Sequence, residues 1–308
     1  MDRGRTTPLG IFTLSVLGIL SIAALLGNGF IIVVIGHRWL QSRKMVPCDL
    51  LLTSLSTSRF LLQLIVMMSQ FLYFCSPEIY THVQEVIDYV WMFFNIVSFW
   101  CTSWLSVFYC VKVANFIHAL FLWLKLRINM LVPRLLGMSL IPFVVFSVSI
   151  VVSCFGKKKH YSLSGNLPGN TSQSEACDYS LTIVQRLQIA FSAINVSICL
   201  TASILLLVSL WRHTRHLKKN GIGIKDFNTQ AHFNVIMSLL LFLFFYILYF
   251  VAVMLPMTKY FKFGNLERLV SDTALSLLPS AHSIILILTN PKLKEVCTRV
   301  LNIRRRSS

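Results

Sequence analysis

The chain has 308 residues, of which 56% are hydrophobic and only 13% charged. A soluble fold of this size has no core large enough for so many apolar side chains, so a water-soluble globular protein is excluded. The formal net charge of +17 suggests nucleic acid at first sight, but the basic residues are spread over several loops instead of forming one face, so no nucleic-acid partner is expected.

Seven apolar runs follow one another: Leu9–Gly36, Pro47–Phe74, Val86–Val111, Met130–Cys154, Leu181–Leu210, Phe233–Met257 and Leu269–Thr289. Each is long enough to cross a bilayer core, which takes roughly 20 helical residues. They are too long and uniform for half-buried strands, and spanning helices satisfy their own backbone hydrogen bonds. The expected fold is an all-α, seven-transmembrane helix bundle forming a single domain over residues 1–308. No internal repeat or low-complexity linker divides it.

Orientation follows from Lys and Arg. Eighteen of the 28 fall on the side of the loops after spans 1, 3 and 5 and the C-terminal tail, against eight on the other side. The positive-inside rule therefore puts the N-terminus outside and the C-terminus inside. The same basic loops suit anionic inner-leaflet lipid or an acidic cytoplasmic partner.

In chain order, the first run is far longer than the apolar part of a cleavable signal and is expected to be its own insertion signal. Its mid-part holds Gly27-Asn28-Gly29. Span 2 carries Arg59, an ionisable group that must face the bundle and find acceptors; Asn28 and Ser283 lie at comparable depth. The group is either a static tie or one rearranged between two states. In span 3, Trp91 and Asn95 stand four residues apart on one face. That pair suits a pocket holding an apolar body and one polar group, or else an interfacial tryptophan beside a helix-bonding amide.

Between spans 4 and 5, Phe155–Ser180 reads as a long polar outer loop with Gly165, Pro168 and Gly169. Asn170-Thr171-Ser172 is an N-glycosylation sequon on its predicted lumenal side, and Cys154 and Cys177 stand where a disulfide can form. A second sequon, Asn195-Val196-Ser197, is inside span 5 and is expected to be silent. Asp272 lies near the outer end of span 7, either solvated, paired with a basic neighbour, or open to a cationic ligand. Cys297 lies past the last span, as a free thiol or a palmitoylation site.

Enzyme signatures are missing: no HExxH, GxSxG, P-loop or paired intramembrane aspartates. Neither a cofactor nor a metal is expected. His282 has no second ligand at metal spacing. A transporter is also poorly supported, because no series of ionisable groups crosses the spans.

Several short motifs are distinctive. They are Leu105-Ser106-Val107-Phe108-Tyr109-Cys110-Val111-Lys112 at the inner end of span 3, and Leu206-Leu207-Val208-Ser209-Leu210 before Trp211-Arg212-His213 in span 5. His282-Ser283-Ile284-Ile285-Leu286 and Asn290-Pro291-Lys292-Leu293-Lys294 close span 7. Leu55-Ser56-Thr57-Ser58-Arg59-Phe60 lies in span 2, and Thr229-Gln230-Ala231-His232 precedes span 6. Together these resemble the bitter taste receptors (type 2 taste receptors), a G-protein-coupled receptor family, over nearly the whole chain. The pattern departs from rhodopsin-like receptors: no Asp-Arg-Tyr closes span 3, and Arg59 stands where an Asp would be.

The resemblance implies a plasma-membrane receptor for small bitter compounds, bound in the outer half of the bundle and coupled to a gustducin-like heterotrimeric G protein. Trp91 and Asn95 match the family's pocket pair. Gln70, Tyr246, Tyr249 and Asp272 fall at further ligand positions, with Tyr246 linking pocket to helix movement. Asn28, Arg59 and Ser283 resemble the family's interhelical polar network. Lys112, Arg212, His213, Arg215, Lys218, Lys219 and Lys294 would flank the G protein. Asn170 resembles the family's glycosylation site. The rival readings are an orphan or vomeronasal-type chemosensory receptor and a small-molecule transporter.

Overall fold

A computed structural model describes residues 8–43, 45–114, 119–164, 171–219, 227–254 and 265–306. These form eight helices: α1 (Pro8–Ser42), α2 (Pro47–Cys75), α3 (Pro77–Val113), α4 (Ala119–Ser164), α5 (Thr171–Lys219), α6 (Phe227–Met254), α7 (Asn265–Thr289) and α8 (Pro291–Arg306). No strand occurs among the described residues. The seven apolar runs fall on α1 to α7, the sixth as far as Met254, beyond which it lies outside the described residues. Among the described residues, five stretches are apolar and long enough to cross a membrane by themselves, from Ser15–Ser42 to Ile236–Met254; α7 contributes the shorter Leu275–Thr289.

The helices outrun the apolar stretches. The expected outer loop Phe155–Ser180 is corrected: α4 continues to Ser164 and α5 begins at Thr171. Polar side chains do not by themselves break a helix, and Gly165, Pro168 and Gly169 fall in the interval 165–170, outside the described residues. At 46 residues, α4 is about 69 Å long, well beyond a bilayer core. Asn170 lies outside the described residues, as do the side chains of Cys154 and Cys177.

Local chemistry explains the ends. Pro47 and Pro77 open α2 and α3, where a missing N–H costs nothing. Ser76 alone separates these two helices, and Tyr73 and Tyr80 brace the corner edge to face at 5.5 Å. Asn290 caps α8: its side-chain oxygen accepts from the backbone N–H groups of Lys292 (3.1 Å) and Leu293 (3.4 Å). With Pro291 at the first helical position, the Asn-Pro motif is thus a helix start.

Packing is centred on α3, which lies against α2, α4 and α5, while α1 packs on α2 and α7 and α6 on α5 and α7. One core joins Ile31, Leu51, Leu55, Ile96, Leu105 and Ile128. A second joins Phe99, Val196, Phe242, Tyr246, Tyr249 and Leu278. Trp104 donates from Nε1 to Ser139 Oγ at 3.2 Å, fastening α3 to α4. Large apolar side chains such as Leu26, Phe71 and Leu126 point outward, as they must where the surroundings are lipid.

Candidate functional site: an outer polar pair and a buried arginine

The outer half of the bundle brings together three of the sequence-predicted ligand residues. Tyr249 on α6 donates its hydroxyl to Asn95 Oδ1 on α3 at 2.7 Å. Both are buried, and Trp91, one turn outward on α3, is half-buried and packs on the same cluster. The Asn95 amide nitrogen has no hydrogen-bond partner. Phe99, one turn inward from Asn95, meets Tyr249 at 5.6 Å and Tyr246 at 5.7 Å. Tyr246 stacks on Phe242 at 5.6 Å, and Phe242 meets the His282 ring at 4.8 Å. A continuous series of rings therefore runs from the outer pair to α7. Gln70 is half-buried near the outer end of α2. Asp272 is placed on the outer part of α7, but its side chain lies outside the description.

The ring series ends at Arg59, which is 2% exposed. Its guanidinium donates to Ser98 Oγ at 3.2 Å and Thr102 Oγ1 at 3.3 Å on α3, and meets Nδ1 of His282 on α7. The expectation that Asn28 and Ser283 accept from Arg59 is corrected. Asn28 donates instead to the Ala24 and Pro279 carbonyl oxygens, at 2.8 and 3.4 Å, and Ser283 to the Ser280 carbonyl oxygen at 2.9 Å. The reason is packing: Gly27 sits so close to Ser283 that α1 and α7 are tied to each other directly, and Arg59 is turned toward α3. One turn outward from Arg59, Gln63 donates to Ser21 Oγ at 2.5 Å and Ser276 Oγ at 3.3 Å.

His282 and Gln63 were missed by sequence reasoning. Each carried a signal. His282 is an ionisable group inside a span, and Gln63 follows Arg59 by four residues on the same helix face.

In the inner half, a cavity of about 550 Å³ has Thr102 and His282 in its wall, with Arg38, Asp49, Asn290 and Lys292 also lining it. Arg38 and Asp49 form an ion pair at 3.3 Å between α1 and α2. Among the described side chains, none of the predicted ligand residues and none of the predicted G-protein-side residues lines this cavity. Lys112, Arg212, Arg215 and Lys294 are exposed. Lys112 lies over the Phe108 ring at 5.9 Å and Arg215 over Trp211 at 5.6 Å. The side chains of His213, Lys218 and Lys219 lie outside the description, though their backbone is in α5. Among the described residues no group of His, Cys, Asp or Glu is placed to hold a metal ion.

A backbone comparison aligns the chain with squid rhodopsin at a TM-score of 0.50, covering 96% of this chain and 87% of that one, at 13% identity. That likeness gives the fold, a seven-helix receptor bundle. The family model described as "Taste receptor protein (TAS2R)" matches residues 6–305. Taste receptor type 2 member 7 of Rattus norvegicus is 33% identical over 291 residues, covering 91% of both chains. Taste receptor type 2 member 41 of Pan paniscus is 34% identical over 304 residues, covering 96% of this chain and 97% of its own. Member 2 of Homo sapiens is 32% identical over 282 residues, covering 91% of this chain and 92% of its own. The chain therefore belongs to the type 2 (bitter) taste receptor family of G-protein-coupled receptors, multi-pass plasma-membrane proteins that are not enzymes.

Proposed function

We propose that this receptor, as one domain over its whole length, binds small bitter compounds in the outer half of the bundle and activates a gustducin-like G protein. The observation that carries the ligand site is the Tyr249–Asn95 hydrogen bond, with Trp91 one turn above it. An indole face beside an amide with a free N–H suits a flat apolar body bearing one acceptor. Gln70 and Asp272 would extend the site toward its mouth.

The ring series from Tyr249 through Phe99, Tyr246 and Phe242 to His282 supplies a contiguous physical route from that site to Arg59. A ligand shifts the receptor only by binding the active arrangement better than the inactive one. In this reading, a change at Tyr246 moves the inner ends of α5 and α6 and widens the cavity that Thr102 and His282 help to line. Asn28, Arg59 and Ser283 would hold the helices that do not move. Lys112, Arg212, His213, Arg215, Lys218, Lys219 and Lys294 would flank the opened cleft, where they meet the G protein or lipid phosphates. Asn170 would carry the glycan on the outer side.

The test is a calcium-mobilisation screen with a panel of bitter compounds in cells carrying a chimeric gustducin-type G protein. Activation by at least one compound, lost in both Trp91→Ala and Asn95→Ala at equal surface level, is the expected result. Responses unchanged in both variants would show that the ligand sits elsewhere.

A further inference from the structure

We propose that Gln188 on α5 is the second polar arm of the outer site, level with Asn95, and that the pair selects neutral ligands bearing a carboxamide, lactam or urea. This rests on the outer-site reading above and names its ligand class.

The register between α3 and α5 carries the inference. Both helices run inward, and two contacts set their alignment: Ser103 donates to the Asn195 carbonyl oxygen at 2.9 Å, and Ser106 meets the Cys199 sulfur at 3.3 Å. Asn95 lies eight residues before Ser103, and Gln188 seven before Asn195. Each is two helical turns, about 11 Å, outward along its own helix from the Ser103–Asn195 contact. The two amides therefore stand at one level.

Both side chains are fully buried, at 0% exposure. Asn95 Oδ1 is occupied by Tyr249, but its Nδ2 has no partner, and neither Nε2 nor Oε1 of Gln188 has one. Two amides at the same depth thus leave two donors and one acceptor unmet without bonding each other. Buried polar atoms are rarely left so, since an unmet group in a low-dielectric interior costs free energy. A third group set between them satisfies all three. Its carbonyl oxygen accepts from Asn95 Nδ2 and Gln188 Nε2, and its N–H donates to Gln188 Oε1. That is the pattern of an amide.

Charge argues the same way. Both arms are neutral, and burying an unpaired ion between them is costly. The nearest described charge deeper in the bundle is Arg59, whose partners Ser98, Thr102 and His282 include no carboxylate, so a ligand cation finds no counter-charge among the described residues there.

The experiment uses the full-length receptor in the calcium assay, with three matched probes: naphthalene carboxamide, its amidinium and its carboxylate. Wild type is expected to answer the carboxamide with at least about tenfold greater potency than either ion. Gln188→Met, of similar length and without the amide, should weaken the carboxamide response about tenfold or more at equal surface level. Gln188→Glu should invert the ranking in favour of the amidinium. Where Gln188→Met fails to reach the surface, the near-isosteric Gln188→Glu carries the test by its ranking alone. An unchanged carboxamide response in Gln188→Met, an unchanged ranking in Gln188→Glu, or a wild type silent to the carboxamide while answering other bitter compounds overturns the proposal. If Trp91→Ala and Asn95→Ala also leave every response intact, the outer site itself has failed and the proposal falls with it.

Discussion

Arg59 of α2 and His282 of α7 meet through the guanidinium and the imidazole Nδ1, both buried between the helices. A guanidinium only donates, so Nδ1 accepts, and the ring carries its proton on Nε2. The contact ties α7 to α2, while Ser98 and Thr102 tie α3 to the same cation.

Removing the imidazole leaves a buried charge with one acceptor fewer. His282→Ala is expected to destabilise the receptor by about 1.5–3 kcal/mol, the range for a hydrogen bond to a charged group. Arg59→Ala should impair folding or signalling more broadly, because it frees acceptors on two helices. Thermal unfolding of the detergent-purified receptor and surface labelling in cells measure both. A receptor with wild-type melting and signalling in Arg59→Ala would show that the network carries no weight.

Tyr249→Phe removes one hydroxyl and leaves the ring contacts with Phe99. The Asn95 amide then loses its fixed orientation. Agonist potency in the calcium assay is expected to fall about three- to tenfold, corresponding to a net hydrogen bond of about 0.5–1.5 kcal/mol. Maximal response should be retained, since the ring series is intact. Potency unchanged across all agonists would detach this bond from ligand recognition.

Gly27 allows α1 to approach α7. A Cβ there would fall on the Ser283 hydroxyl and within 2.9 Å of the Ser283 Cβ. Gly27→Ala should therefore cost about 1–3 kcal/mol through overpacking. Adding Ser283→Gly removes both obstructing atoms and should recover most of the lost melting temperature. Gly36→Ala, where nothing lies within 4 Å, is the control and should be neutral or slightly stabilising. Equal losses at both glycines would show that the approach to Ser283 is not the cause, since helix propensity by itself favours Ala over Gly.

Asn290 caps α8 through two backbone N–H groups. Asn290→Ala should weaken the first turn by about 1 kcal/mol, and Asn290→Asp should restore it. Hydrogen exchange at Lys292–Lys294 reads the effect directly. Faster exchange in the Ala variant alone is expected; identical exchange in all three proteins would remove the cap from the account.

Periodicity and length were legible in the sequence because a bilayer punishes every unsatisfied backbone group, so each span had to be a long apolar helix. The alternate placement of Lys and Arg set which ends face inward for equally local reasons. The motifs at the inner ends identified the family, and the Asn290-Pro291 pair is readable as a cap once its position is known. Helix ends outside the membrane were less legible: α4 and α5 extend through polar sequence, because polar side chains do not by themselves end a helix.

Side-chain partners were decided by tertiary structure. Depth alone made Asn28 and Ser283 plausible acceptors for Arg59, but depth does not say which way a residue turns around its helix axis. The close Gly27–Ser283 approach fixed α1 on α7, and α2 then turned Arg59 toward Ser98, Thr102 and His282. Gln188 illustrates the same limit. In sequence it stands beside a second amide, Gln185, and Arg186, and only the register of α5 on α3 brings it level with Asn95, because that register depends on how two helix surfaces interlock and not on either surface alone.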